Sequence, residues 1–251
     1  MRIASEGAPA LPTTPHPVEL GKRPLRAARN LFRGHYYRMR SPVQIRRYLQ
    51  THAQRKLQLG CGANTLKGWL NSDLQPGRET VYLNANKALP LPPDSFAFIF
   101  HEHFLEHFSY ADGKRILSEC YRLLQPGGIL RVVTPDLGFL IRLHEQRSGI
   151  EQRYLAANAP AGMREDLAAT WVINQFVREW GHLFIYDRVT LVTTLQELGF
   201  VDISVQQCGE SPYPELRDID GHGRLIGAEF NRLESLVVEG AKPKVTGNGL
   251  A

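Results

Sequence analysis

The segment KLQLGCGANTLKGWLNSDL, Lys56–Leu74, sets two glycines and a carboxylate a short distance apart. Gly60 and Gly62 lack a Cβ, so a ligand can come close against bare backbone there. Asp73 ends the next apolar run, where a carboxylate can accept both hydrogen bonds of a ribose diol. The chemistry implied is the grip of a small adenosine-containing molecule. A dinucleotide does not suit the spacing. Thr65 stands where a third glycine would, and Asp73 follows at about half the ~20 residues such folds use. The chain has no G-x-x-x-x-G-K-[ST], so a triphosphate cradle is not expected either.

A second cluster is HEHFLEH, which brings His101, His103, Glu106 and His107 together. Imidazole exchanges a proton near neutral pH. His103 and His107, four apart on an expected helix, could also present two metal ligands. The order is not H-E-x-x-H, however, because Phe-Leu-Glu intervenes. Glu106 and His107 are expected to support the neighbouring loop through hydrogen bonds, and no metal is expected. His182 stands in GHLFIYD, where Tyr186 and Asp187 read as an aromatic staple and an N-cap. The stretch SPYPELRDIDGHG, 211–223, is polar and turn-forming. It is either a pocket rim carrying Tyr213, Arg217 and His222 or an ordinary connection.

These residues need a scaffold, and the hydropathy pattern supplies one. Strands are expected at 56–59, 69–73, 80–84, 95–100, 129–133, 201–207 and 234–241. A helix with Ile116, Leu117, Cys120, Leu123 and Leu124 on one stripe stops at Pro126-Gly127-Gly128. Another, begun by Asp187, turns Leu191, Val192, Leu195 and Leu198 inward. Such alternation predicts an α/β three-layer sandwich with a mostly parallel seven-stranded sheet, and ligands at the carboxyl ends of its strands. The expected domain runs over 56–242, with a helical substrate-cap excursion at 137–180. Trp171, Phe176 and Trp180 there suit a core or a lid.

Ahead of it, residues 1–22 are rich in Pro, Ala and Thr and are expected to be disordered, as a loose tail is expected at 243–251. A basic extension over 23–55 is read as two helices. One spans 24–33 with Arg26, Arg29 and Arg33 on a face; the second starts at Ser41 as N-cap, with Pro42 in its first turn and Gln44 completing a capping box.

Charge is uneven along the 251 residues. Residues 1–56 hold 12 Lys/Arg against 2 Asp/Glu, and the remainder holds 18 against 23. The basic arm suits an anionic partner, a peripheral membrane contact through residues 22–56, or the domain's own acidic surface. Three cysteines, Cys61, Cys120 and Cys208, are odd in number and far apart, which argues against a disulfide framework and for a reducing compartment. No apolar run approaches a membrane span, and the first residues have no signal-peptide core, so a cytoplasmic protein is expected.

With LGCG, LPLPPDSFAFIF, HFLEH and LLQPGGILRVVTPD in that order, residues 56–136 resemble the class I S-adenosylmethionine-dependent methyltransferases of the broad type-11 group. The resemblance resumes at HLFIYD and ESLVVEGAKP. It implies S-adenosyl-L-methionine as cofactor. By its motif positions, Leu59, Gly60, Cys61 and Gly62 would line the methionine and ribose side, and Asp73 with Leu74 the ribose. Leu83, Asn84 and Ala85 would surround the adenine, and His101 and Glu102 would face the methionine end. Gln58 and Ala97 depart from the pattern, since relatives carry acidic residues at both places. Methyl transfer from a sulfonium is an in-line displacement that asks the protein for alignment and, with an oxygen nucleophile, for a base. The resemblance puts His182 first for that base and His103 second. The implied activity is O-methylation of a hydroxyl on a small molecule, sugar or lipid-linked precursor. A fold that binds the cofactor without transferring methyl is the alternative. RNA modification ranks last: the position after strand four reads His-Glu-His-Phe in place of the Asn/Asp-Pro-Pro-aromatic of base amino-methyltransferases, and no RNA-binding module is recognisable.

Overall fold

The computed structural model describes residues 23–146 and 149–245. The segments 1–22 and 246–251 lie outside the described residues, as do the side chains of Arg26, Arg29 and Arg33. The strands are β1 (Lys56–Leu59), β2 (Leu70–Asp73), β3 (Val81–Tyr82), β4 (Phe96–Glu102), β5 (Leu124–Pro135), β6 (Val201–Gln206) and β7 (Ser235–Ala241). They form one seven-stranded sheet in the order β3-β2-β1-β4-β5-β7-β6. The first five pair in parallel, while β7 runs antiparallel to both β5 and β6. The chain winds outward from β1 to β3 and then returns to lay β4 on the other side of β1. That reversal opens a crevice at the carboxyl ends of β1 and β4, the place where open α/β sheets bind ligands.

Side-chain alternation gives the sheet two buried faces. Leu57, Leu59, Ile99, Leu130 and Val132 look one way, onto helix α2 (Tyr110–Leu123), helix α6 (Arg188–Glu197) and the end of α1 (Arg23–Thr51). Phe98, Phe100, Ile129, Val133 and Val237 look the other way, onto Trp69, Leu216 and Ile219. Ser109 and Asp187 cap α2 and α6, accepting from Asp112 N and Thr190 N. The excursion after β5 folds as α3 (Leu137–Glu145), α4 (Gly149–Asn158) and α5 (Glu165–Arg178), with a core of its own around Phe139, Leu143, Tyr154, Val172 and Phe176. Between β6 and β7 lie two short helices, α7 (Gly223–Ile226) and α8 (Ala228–Glu234).

The N-terminal extension differs from the sequence expectation. It is one continuous helix, with Pro42 inside it. Ser41 does not cap a helix start. Its hydroxyl donates to Tyr37 O at 2.8 Å, one turn back, and accepts from Tyr82 N at 2.7 Å, which docks α1 on β3. Tyr48 reinforces the docking: its hydroxyl lies 2.9 Å from Lys56 O and 3.0 Å from Gly68 O. Local capping signals thus yield to a tertiary contact. Pro42 removes one i→i−4 bond, and the Ser41 bonds help hold the helix across that gap.

Candidate active site

Leu59 is the last residue of β1, and the chain then turns through Gly60 and Gly62 at φ of +60° and +50°. Non-glycine residues seldom adopt such values. A Cβ on Gly60 would also run into the Phe104 ring, so the missing side chain lets Phe104 cover the turn. The turn is held from below by Asp73, whose Oδ2 accepts from Gly62 N at 3.0 Å while Oδ1 accepts from Gln75 N at 2.8 Å. Each carboxylate oxygen keeps a second lone pair for a ligand. Gln58 holds the far side of the loop, donating through Nε2 to Asn64 O at 3.0 Å. An acidic side chain at position 58 could only accept, so this departure has a structural use here.

A cavity of about 270 Å³ opens at the crevice. Of the residues assigned to the cofactor, Leu59, Gly60, Asp73, Leu74, Leu83, Asn84 and Ala85 line it. Opposite these in sequence stand His103, Phe104, His107 and Phe108, from the turn after β4. Phe104 and Phe108 escape the motif reading; their four-residue spacing after a strand is the signal that could have found them. Asn84 Oδ1 accepts from Asn86 N at 3.0 Å, fixing the bend behind Leu83. The set suits an adenosine compound: a carboxylate for a diol, a bare turn, and an apolar slot of Leu83, Ala85, Phe104 and Phe108 for a flat ring. A larger hollow, about 730 Å³, lies between α4 and α5 and includes none of these residues.

Four assigned residues are not on the cavity wall. Cys61 is buried beneath the loop, its thiol pushed up to about 12 by burial and by the nearby Asp73 charge. Gly62 contributes its N–H to Asp73 instead. His101 belongs to β4 and is fully buried; burial pushes it down to about 4, so it is neutral at physiological pH. Glu102 turns away and accepts backbone hydrogen bonds from Gly221 at 2.8 Å and His222 at 3.0 Å, anchoring the segment before α7. The β4 side chains alternate, which sends these two residues into the layers and leaves the crevice to the turn that follows.

That turn holds the titratable groups nearest the cavity. His103 has φ of +46°, and its Nδ1 lies 3.3 Å from the Oε1 of the fully buried Glu106. Burial alone would lower the His103 pKa, but the Glu106 carboxylate beside it, with Glu234 and Glu102, outweighs that and raises it. The reciprocal effect holds Glu106 low: burial opposes its charge, and His103 more than compensates. Its Nε2 is buried and has no hydrogen-bond partner among the described residues.

His182 sits farther back. Its Nδ1 lies 2.7 Å from Phe176 O, which can only accept, and its ring stands 5.0 Å from that of His107. It is absent from the cavity wall. The 211–223 stretch holds two roles at once. Arg217 pins its own loop through Ser211 O, while His222 reaches the site: its ring centroid is 3.9 Å from that of His103, and its Nε2 is 3.0 Å from Glu234 Oε1.

Residues 67–132 match the family model described as a methyltransferase domain. The matched stretch includes Asp73, Leu83–Ala85 and His101–His107. No curated protein matches the chain. Among solved structures, it is similar to a methyltransferase from Thermotoga maritima described as a possible histamine N-methyltransferase. The two share 19% identity and a TM-score of 0.44, over 89% of this chain and 99% of that one. A methyltransferase from Archaeoglobus fulgidus shares 17% identity and a TM-score of 0.45, over 90% and 100%. Phosphoethanolamine N-methyltransferase 2 of Haemonchus contortus, solved with S-adenosyl-L-methionine, shares 14% identity and a TM-score of 0.40, over 80% and 52%.

Proposed function

We propose that this S-adenosylmethionine-dependent methyltransferase, of the class I fold, methylates a hydroxyl group on a small molecule, sugar or lipid-linked precursor. The observation that carries the reading is His103: an imidazole on the wall of the cofactor cavity, backed by a buried carboxylate, with its Nε2 unpartnered among the described residues. Asp73 and the Gly60–Gly62 turn would hold the ribose and methionine portions, and Leu83, Ala85, Phe104 and Phe108 the adenine. The bound cofactor supplies the methyl group as an activated sulfonium. The acceptor hydroxyl is held and loses its proton at the cluster around His103. Its oxygen bonds to the methyl carbon as the carbon–sulfur bond breaks, and the electron pair of that bond stays on sulfur, leaving S-adenosylhomocysteine. A hydroxyl needs this help far more than an amine that is already neutral, and proton removal at a placed catalytic group is worth about 10²–10⁴-fold.

The test is methyl transfer from labelled cofactor to a panel of sugar, phenol and polyprenol hydroxyls, with the wild-type chain and His103→Gln. Turnover should fall about 10²–10⁴-fold in the variant, while S-adenosylhomocysteine affinity stays nearly unchanged. Equal turnover in both proteins would remove His103 from the chemistry and the hydroxyl reading with it.

The lipid-linked option draws support from α1. Tyr36 is 50% exposed, and Met39 and Val43 are each 69% exposed, on one stripe with Arg40 and Arg47 alongside. Apolar and aromatic groups flanked by arginine suit an anionic lipid surface. Co-sedimentation with phosphatidylglycerol vesicles, but not with phosphatidylcholine vesicles, is expected, and Met39→Glu with Val43→Glu should abolish it. Equal behaviour on both vesicle types would count against a membrane-borne acceptor.

A further inference from the structure

We propose that His103, His222 and Glu234 form a binding site for one divalent transition-metal ion of the zinc class, next to the cofactor cavity. Its existence stands on geometry; its use in catalysis rests on the hydroxyl-methylation reading above. One donor atom from each residue lies within 4.8 Å of the other two. His222 Nε2 and Glu234 Oε1 are 3.0 Å apart, the spacing of neighbouring ligands on a small cation. Two imidazoles and a carboxylate are a donor set used by catalytic zinc and by related divalent ions.

Each donor is held from behind. Glu106 faces Nδ1 of His103, which leaves Nε2 to coordinate. Tyr154 donates its hydroxyl to Glu234 Oε2, which leaves Oε1. Glu102 holds the backbone N–H of His222 at 3.0 Å. Contacts of this kind set tautomer and orientation at metal sites. The cost of the arrangement without an ion is visible: His103 Nε2 is buried with no hydrogen-bond partner among the described residues.

Access also fits. The side chain of Glu234 is 4% exposed, against 19% for His103 and 25% for His222, so the His222 side of the cluster is the more open one. An acceptor hydroxyl could take that open position. Coordination lowers the pKa of a bound hydroxyl, and the proton would leave to water along the His222 edge. The cluster would then remove the proton through the ion rather than by transfer to the His103 lone pair.

Tag-free, EDTA-dialysed protein titrated calorimetrically with Zn²⁺, and by visible absorption with Co²⁺, tests the site. One ion per chain is expected. His222→Ala and Glu234→Gln should each weaken it at least about tenfold, and Tyr154→Phe about tenfold. S-adenosylhomocysteine affinity should not move in His222→Ala. If Glu234→Gln fails to fold by circular dichroism, His222→Ala, a partly exposed change, carries the comparison. Stoichiometric, His222-dependent binding in a protein that methylates no hydroxyl would keep the site and overturn only its catalytic use. No stoichiometric ion, or unchanged affinity in His222→Ala, would overturn the site; methylation that persists in EDTA would then leave the hydroxyl reading standing.

Discussion

Cys61 lies in the glycine loop beside Asp73, and its chemistry is suppressed by where it sits. Burial pushes its thiol up to about 12, as it does the thiols of Cys120 and Cys208. A free cysteine ionises near 8.5, so at pH 8 these three hold roughly a thousandfold less thiolate than an exposed one. Iodoacetamide at pH 8 should leave all three unmodified in the folded protein and alkylate all three in urea; mass spectrometry counts the adducts. Rapid native labelling of Cys61 would show a loop more open than described here. The linkage has one sign. A thiol raised on folding contributes its full stability below the unfolded value, and that contribution is lost as pH climbs toward about 12, so the protein should weaken in strong alkali. At this same scale, Gly60, Gly62 and Asp73 were legible because bare turns and carboxylates leave local marks in a sequence. The His103–His222–Glu234 cluster was not, because its members come from the turn after β4, the residue before α7 and the end of α8. His103 and His222 each draw notice in the sequence, but nothing there joins them to each other or to Glu234.

Among elements, α1 shows how a tertiary bond overrides a local signal. Ser-Pro followed by Gln reads as a helix start, yet Ser41 is 2% exposed and spends its hydroxyl on Tyr37 O and Tyr82 N. Ser41→Ala should therefore cost about 1 kcal/mol or more, because the part-buried Tyr82 N–H loses its partner. Urea denaturation measures it, with Met39→Ala on the exposed stripe as a control that should change stability by less than about 0.5 kcal/mol. Equal effects at the two positions would mean that α1 is not docked through Ser41. The strands of the sheet were far easier to place than this helix. Runs such as FAFIF are apolar on both faces, as strands covered by helices on each side must be. Helix α8 was missed because Glu234 and Ser235 pass from helix to strand without a glycine or proline between them.

Across the whole molecule, a buried ion network ties the sheet to the site. Arg131, fully buried in β5, bonds Asp220 through Nε at 2.9 Å and Glu239 of β7 through Nη1 at 2.6 Å. It also holds the carbonyl of Glu210 at 2.9 Å. Asp220 directly precedes the Gly221–His222 pair that Glu102 anchors, so the central strands fix where His222 stands. Arg131→Met would leave two buried carboxylates without their cation and should destabilise the fold by about 3–5 kcal/mol. Urea titration reads that loss, and a change below about 1 kcal/mol would show the network to be dispensable. The one charged residue in ILRVV is the mark this network leaves in the sequence; its partners, 89 and 108 positions away, leave none. Every role proposed for this chain requires that the crevice between β1 and β4 hold an adenosine cofactor. Calorimetric titration of the full chain with S-adenosylhomocysteine, beside Asp73→Ala, tests this most directly. One site should appear in the wild-type protein, and the variant should lose at least about tenfold in affinity, the worth of a hydrogen bond to a charged group. Absence of binding to the wild-type chain, or equal binding by both proteins, would contradict it.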